Sequence, residues 1–289
     1  MNLFDRLVDE ALQNQPTLSS LRNVVEKELL HHDILRIMRD NNLLKDLTFI
    51  GGTCLRDCYS AVRLSEDLDF TGGFEFTKED LEQLGNLLVQ NLQDKYEFPV
   101  SVSAPEKESK HVDTWKIKIE TRAPQKHLPA QRINIDICAL PSYDSYPRML
   151  LNKYGVDMGT SGLIIQAQSR EEIYADKLIA FALRPNRVKY RDLWDISWLH
   201  GQGVSPLINL IIPKLLDRQV PMNAFLSSFE ERAQSIGNDQ KHSVEFQKEM
   251  YRFLPADNAS HLQEKERFWL FIVGLMKEFT DKIKSFSKM

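Results

Sequence analysis

The sequence predicts an α+β protein with a mixed α/β N-terminal domain over residues 1–160 and a helical domain over residues 161–289. Three observations carry that reading. Helical and strand-like hydrophobic periods interleave as far as about residue 140. Beyond Ser169 nearly every apolar repeat has helical spacing, and the stretch between, Tyr143 to Tyr154, is aromatic and irregular. A chain of 289 residues accommodates one large or two modest domains.

Residues 1–46 read as helical. Leu18, Leu21, Val24, Val25, Leu29 and Leu30 recur at three- and four-residue intervals, Ile34, Ile37 and Met38 extend the stripe, and Thr17–Ser20 offers a helix start. The run "LTFI" (47–50) is a short strand ending at the Gly51-Gly52 turn, after which Thr53 is placed to cap a helix with Leu55, Tyr59 and Val62 inward. "DLDF" (67–70) reads as a strand closed by Gly72-Gly73. Leu81, Leu84, Leu87, Leu88 and Leu92 form an amphipathic helix, followed by the extended segment "FPVSVS" (98–103).

In "TWKIKIETR" (114–122) Trp115, Ile117 and Ile119 face one way, and Lys116, Lys118 and Glu120 the other. "RINIDIC" (132–138) repeats the alternation, with Asn134 and Asp136 on the polar side. "LIIQA" (163–167) is a short strand. Helices are then predicted over 169–184, 189–200, 205–217, 222–235, 241–253 and 260–287, with no internal repeat and no low-complexity linker.

Composition excludes several classes. An apolar fraction of 42% with 12 glycines and 12 prolines rules out collagen and disorder and argues against a coiled coil. The first residues carry both charge signs and lack the apolar run of a signal peptide, and Trp269–Met276 is too short to span a bilayer. A cytoplasmic protein without a membrane partner is expected. Cys54, Cys58 and Cys138 form neither a disulfide set nor a zinc pattern and read as buried thiols. His31-His32 is a lone pair in a helix, either packed or solvated. A net charge of −4 argues against bulk binding to nucleic acid and leaves room for a local basic groove.

The stretch "GGTCLRDCYSAVRLSEDLDF" (51–70) carries the chemistry. Strand, two glycines and a helix start present backbone N–H groups to an anion, and glycine admits a phosphate without a Cβ in the way. Asp67 and Asp69, two apart in a strand, leave one face together and repel unless a cation lies between them; magnesium ions bridging nucleotide phosphates would supply that cation. Asp136, on the polar side of its own strand, is the natural third carboxylate. Each feature also has an ordinary reading: a turn, a solvated strand edge, an exposed strand residue. Arg63 and Ser65 would either touch a phosphate or order the loop.

A second cluster lies in "EEIYADKLIAFALRPNRVKYRDLWDI" (171–196). Lys177 and Arg184 share a helix face, and the Lys177 stem can pack while its ammonium reaches a groove. Arg184, Arg187, Lys189 and Arg191 bunch around Pro185-Asn186, where they would hold a polyphosphate or an RNA backbone, or form a solvated charge run. Asp192 and Asp195 would either serve the site or pair with those bases at the surface, a weak interaction there.

Gly51-Gly52-Thr53, Leu55-Arg56, Arg63, Ser65 and Asp67-Leu68-Asp69-Phe70, with the later Lys177 and Arg191-Asp192 segments, resemble the AbiEii/AbiGii toxin family of the polymerase-beta-like nucleotidyltransferase superfamily. The resemblance covers two islands within residues 45–200. It implies a polymerase-beta-like α/β domain followed by a helical domain that contributes Lys177 and Asp192 to the site. It further implies a nucleoside triphosphate as substrate, two Mg2+ ions on Asp67 and Asp69, to which strand alternation adds Asp136 as the third ligand, and nucleotide contacts from Gly51, Gly52, Thr53, Arg63, Ser65 and Lys177. Asp192 rather than Asp195 is favoured as the matching acid. The implied acceptor is the 3′ end of a transfer RNA, met by Arg184, Arg187, Lys189 and Arg191, and the implied partner is an AbiEi-like antitoxin. The residues themselves leave open a protein or small-molecule acceptor, a two-metal hydrolase, and a regulator that binds nucleotide or RNA without turnover.

Overall fold

In the computed structural model, residues 2–105, 111–122, 129–185, 187–261 and 265–287 are described, and the chain divides into two compact units, Met1–Gln168 and Ser169–Met289. The first unit contains the helices α1 (Leu3–Asn14), α2 (Arg22–Asp40), α3 (Gly51–Tyr59) and α4 (Leu84–Tyr96). Its strands are β1 (Thr48–Ile50), β2 (Leu68–Thr71), β3 (Val100–Ser103), β4 (Val112–Ile119), β5 (Gln131–Cys138), β6 (Ser145–Met149) and β7 (Ile164–Gln168).

Among the described residues these strands make one mixed sheet in the order β3-β4-β5-β2-β1-β7-β6. β1 runs antiparallel to β2 and parallel to β7, and β2 runs parallel to β5. Alternation decides which side is which. Leu68 and Phe70 of β2, Trp115, Ile117 and Ile119 of β4, and Ile133, Ile135 and Ile137 of β5 are all buried. Asp69, Lys116, Lys118, Arg132, Asn134 and Asp136 occupy the alternate positions and keep solvent access.

The second unit is helical: α5 (Arg170–Leu183), α6 (Tyr190–Gly201), α7 (Ile211–Asp217), α8 (Met222–Asn238), α9 (Lys241–Met250), α10 (Ala256–His261) and α11 (Lys265–Phe286). Ser169 caps α5 by accepting the Glu172 N–H at 3.0 Å. Phe181, Phe225 and Phe229 pack edge-on and tilted against each other within its core. No described helix is long and apolar enough to cross a membrane.

Several local expectations change, among them the helix read over 205–217, which is a 3₁₀ turn at Ile208–Leu210 followed by α7. Pro16–Leu21 winds as a 3₁₀ turn, and the long α-helix begins at Arg22, because proline suits the start of a turn. Ser145–Met149, read as irregular, is strand β6; Pro147 within it is tolerated because β6 is an edge strand. The terminal helix expected over 260–287 is α10 and α11, with residues 262–264 outside the described set. Cys54 and Cys58 are buried free thiols and Cys138 is half-buried.

The His31-His32 pair is packed. His31 Nε2 lies 3.0 Å from the Glu66 carbonyl and His32 Nδ1 lies 2.9 Å from Thr160 Oγ1. Burial holds His32 neutral and pushes its pKa down to about 4. The unfolded chain, with an ordinary histidine, binds a proton that the folded chain refuses between pH about 6.5 and 4. Stability from His32 is therefore complete above pH about 6.5 and is lost as the pH falls toward 4, by on the order of 3 kcal/mol. Urea unfolding followed across that range is expected to lose stability toward acid, with a shallower slope in His32→Gln.

Candidate active site

The candidate acids meet through sheet register. β2 and β5 pair in parallel with Leu68 opposite Ile135, Asp69 opposite Asp136 and Phe70 opposite Ile137. Asp69 and Asp136 thus stand side by side on the polar face, on strands about 4.8 Å apart. Thr114 of β4, across from Asp136, donates its hydroxyl to Asp136 Oδ1 at 2.6 Å.

Asp67 sits just before β2 rather than within it, and its Oδ1 accepts the Asn134 N–H at 3.0 Å. That bond fixes the approach of the loop onto β5. Among the described residues, no three His, Cys, Asp or Glu side chains gather at metal-binding spacing.

Gly51 closes β1 with a φ of +77°, a left-handed conformation that favours glycine. A Cβ there would stand 2.6 Å from Asp69 Oδ2, so the Asp69 carboxylate lies directly against this turn. α3 starts at Gly51, with Ile50 as the cap residue and no side-chain cap bond. Thr53 is therefore an interior helix residue and not a cap. Its hydroxyl instead bonds Ser65 Oγ at 2.7 Å and donates to the Asp67 carbonyl, tying the helix start to the loop before β2.

Arg63 and Ser65 order that loop. Both are buried, Arg63 donates to the Leu64 carbonyl at 2.8 Å, and a Cβ on Gly52 would run into the Arg63 guanidinium. The Ser65 N–H donates to Glu28 Oε1 at 2.8 Å. Glu28 Oε2 also takes Arg56 Nε at 3.1 Å and the Tyr154 hydroxyl, while Arg56 donates to the carbonyls of Ala61 and Val62. Lys27 reaches Glu66 Oε1 at 2.9 Å. One face of α2 (Lys27, Glu28, His31) thereby grips Ser65 and Glu66, the two residues before Asp67. Sequence reading missed Glu28, because an acid in a long amphipathic helix carries no mark of burial.

The second cluster is built on α5 and α6. Lys177 Nζ lies 2.7 Å from Asp192 Oδ1 and 2.8 Å from Asp195 Oδ2, and Arg184 lies 3.0 Å from Asp192 Oδ2. Burial opposes ionisation of Asp192, yet Lys177, Lys189 and Arg184 outweigh it and hold the carboxyl well below the usual range. Both aspartates are buried, so these pairs are not the surface contacts that their sequence suggests.

The four bases around Pro185 do not form one exposed patch. Arg184 and Lys189 answer to Asp192, and Arg191 pairs with Glu249 at 3.2 Å and lies over the Phe253 ring at 4.5 Å. Arg187 is the exposed base of the four, and Asn186 lies outside the described residues.

The family to which the sequence belongs gives the class of this protein: it is a nucleotidyltransferase. The chain belongs to the family described as nucleotidyl transferase AbiEii toxin, Type IV TA system, which it matches over residues 33–272. It is thus a toxin-family nucleotidyltransferase. The gripping residues Lys27, Glu28 and His31 fall before the matched segment.

Solved structures share the fold. The crystal structure of JHP933 from Helicobacter pylori is 15% identical with a TM-score of 0.51, covering 92% of this chain and 95% of that one. MenT4, a nucleotidyltransferase toxin from Mycobacterium tuberculosis, is 15% identical with a TM-score of 0.50, covering 81% of this chain and 73% of that one. No curated protein matches the sequence.

Two substitutions test this geometry. Gly51→Ala combines a left-handed backbone cost of about 1–2 kcal/mol with a Cβ against the Asp69 carboxylate, and is expected to abolish nucleotide transfer while the protein stays folded by circular dichroism. Asp192→Asn leaves Lys177, Lys189 and Arg184 short of their counter-charge and is expected to cost about 3 kcal/mol in urea unfolding at neutral pH. The native contribution is present above pH about 4 and is lost as the pH falls toward the depressed pKa, so the two proteins should converge in acid.

Proposed function

We propose that the chain transfers nucleotides from a nucleoside triphosphate to an RNA acceptor, the 3′ end of a transfer RNA. The observation that carries the reading is the in-register pair Asp69–Asp136 beside the Gly51 turn. A 3′-hydroxyl oxygen would give up its proton to a carboxylate or water and bond to the α-phosphorus, while the bond from that phosphorus to the α–β bridging oxygen breaks and pyrophosphate leaves. Such transfer needs positioning and electrostatic stabilisation and no covalent enzyme intermediate.

The N–H groups at the start of α3, with Gly51, Gly52 and Thr53, would receive the phosphates. Asp69 and Asp136 would orient the reacting oxygens. Asp67 would add a third carboxylate while its Oδ1 holds the loop on β5. Arg63 and Ser65 support the nucleotide through the loop they order.

The paired carboxylate oxygens of Asp69 and Asp136 would suit magnesium, two ions in this reading, with the substrate phosphates and water supplying the remaining ligands. When bound, magnesium would neutralise phosphate charge and clamp the attacking and leaving oxygens. Lys177 carries the proposed phosphate contact, with Asp192 fixing its position. Arg187 is the exposed base available to RNA from its cluster, and Arg184, Lys189 and Arg191 act there through the framework they build. The toxin family also brings an antitoxin; an AbiEi-like regulator is the proposed partner.

The test incubates purified protein with magnesium, each labelled nucleoside triphosphate in turn and total bacterial RNA. Label is expected in a transfer-RNA-sized band, and to fall by at least about a thousandfold in the double variant Asp67→Ala, Asp69→Ala, in line with losing transition-state charge stabilisation. No label in RNA with any of the four nucleotides would overturn the RNA-directed reading.

A further inference from the structure

The polar face of the sheet does not end at the acids. From Asp136 and Thr114 the register continues to Asn134 opposite Lys116, and then to Arg132 opposite Lys118. On the outer side Ser103 stands opposite Lys116 and Ser101 opposite Lys118. Lys116, Arg132, Ser101 and Ser103 are exposed, and Lys118 is 42% exposed at its side chain. An acid shares the far end: Glu120 Oε1 lies 2.7 Å from Lys118 Nζ.

Two strand residues advance about 6.8 Å, so Lys116 and Lys118 are spaced by roughly that length and Arg132 stands about 13 Å along β5 from Asp136. Burial of Trp115, Ile117, Ile133 and Ile135 on the opposite face locks all three cations outward. The result is a short basic row on a flat face that begins at the paired acids.

We propose that this row, Lys116, Lys118 and Arg132, is the track on which the phosphodiester backbone of the RNA acceptor lies, leading its 3′ end to Asp69 and Asp136. The assignment rests on the RNA-directed reading. Charge complementarity selects the occupant: a chain whose net charge is −4 exposes three cations in a row next to its acids, and a polyanion tethered at one end matches that polarity. Hydroxyls from Ser101 and Ser103 add uncharged phosphate donors along one side.

The experiment uses the full chain and bulk bacterial transfer RNA. Transfer is measured as KM for RNA and KM for each nucleoside triphosphate, and RNA binding as affinity between about 50 and 200 mM salt. In the triple variant Lys116→Gln, Lys118→Gln, Arg132→Gln, affinity and KM for RNA should worsen at least about tenfold, and the log–log salt slope should fall by about 2, three contacts at roughly 0.7 each. KM for the nucleoside triphosphate should stay unchanged. The charge-keeping variant Lys116→Arg, Lys118→Arg, Arg132→Lys should retain RNA binding, which separates charge from packing.

Unchanged RNA affinity and slope in the triple variant, with native transfer to RNA intact, would overturn the track and leave the transferase reading standing. A raised KM for the nucleoside triphosphate alone would overturn it in favour of a triphosphate contact. Absence of RNA labelling and binding in the native chain would overturn both.

Discussion

The lateral pairing of β2 with β5 is the constraint on which the molecule depends. Two carboxylates in adjacent register repel, so nothing in their own interaction brings Asp69 beside Asp136. What does so is the other face. Leu68 and Phe70 of β2 and Ile135 and Ile137 of β5 are fully buried, and a one-residue slip would turn those apolar groups to solvent and the acids into the core. Hydrophobic burial of about 1.5–3 kcal/mol per large side chain easily exceeds the repulsion of two half-solvated charges. The sheet therefore holds the two acids side by side whatever their mutual repulsion.

A second constraint is the loop that delivers Asp67. It is held by polar contacts to buried groups, chiefly Glu28, Arg56 and the Thr53 hydroxyl. A buried ion pair gives little net stability relative to apolar packing, yet losing one partner is costly, so such a network resists partial change. Here it fixes the direction of a chain segment that has no regular hydrogen-bond ladder. Rigidity in the loop is the benefit that offsets desolvating Glu28 and Arg56.

Much of this was legible in the residues. Alternation in "RINIDIC" and "TWKIKIETR" announced strands and sorted their faces, and the double glycine announced the turn. Pairing was less accessible: no local pattern states that β5, more than sixty residues later, lies parallel to β2. Thr53 was misread as a cap because the helix starts at Gly51, three residues sooner than a threonine cap at position 53 would set it. The partners of Asp192 were named as an alternative, but their burial was not, since a helix's inner face depends on what packs against it. Glu28 gave no signal at all.

Charge shows most clearly where sequence proximity and spatial meaning diverge. Arg184, Arg187, Lys189 and Arg191 lie within eight residues and look like a nucleic-acid patch, yet the buried Asp192 and the half-buried Glu249 draw three of them into the framework. Lys116 and Lys118 share a face within one strand, but Arg132 is fourteen residues further on, past Glu120 and the connection between the strands, and no window of sequence joins it to them. Antiparallel pairing of β4 with β5 gathers them onto one exposed face. A run of bases in a helix can be spent on internal neutralisation, because helix faces find acidic partners at three- and four-residue spacing. Bases on the polar side of a half-buried strand have less freedom: the apolar face opposite holds them to solvent, and of the three only Lys118 has an acidic neighbour among the described residues of its own segment, Glu120.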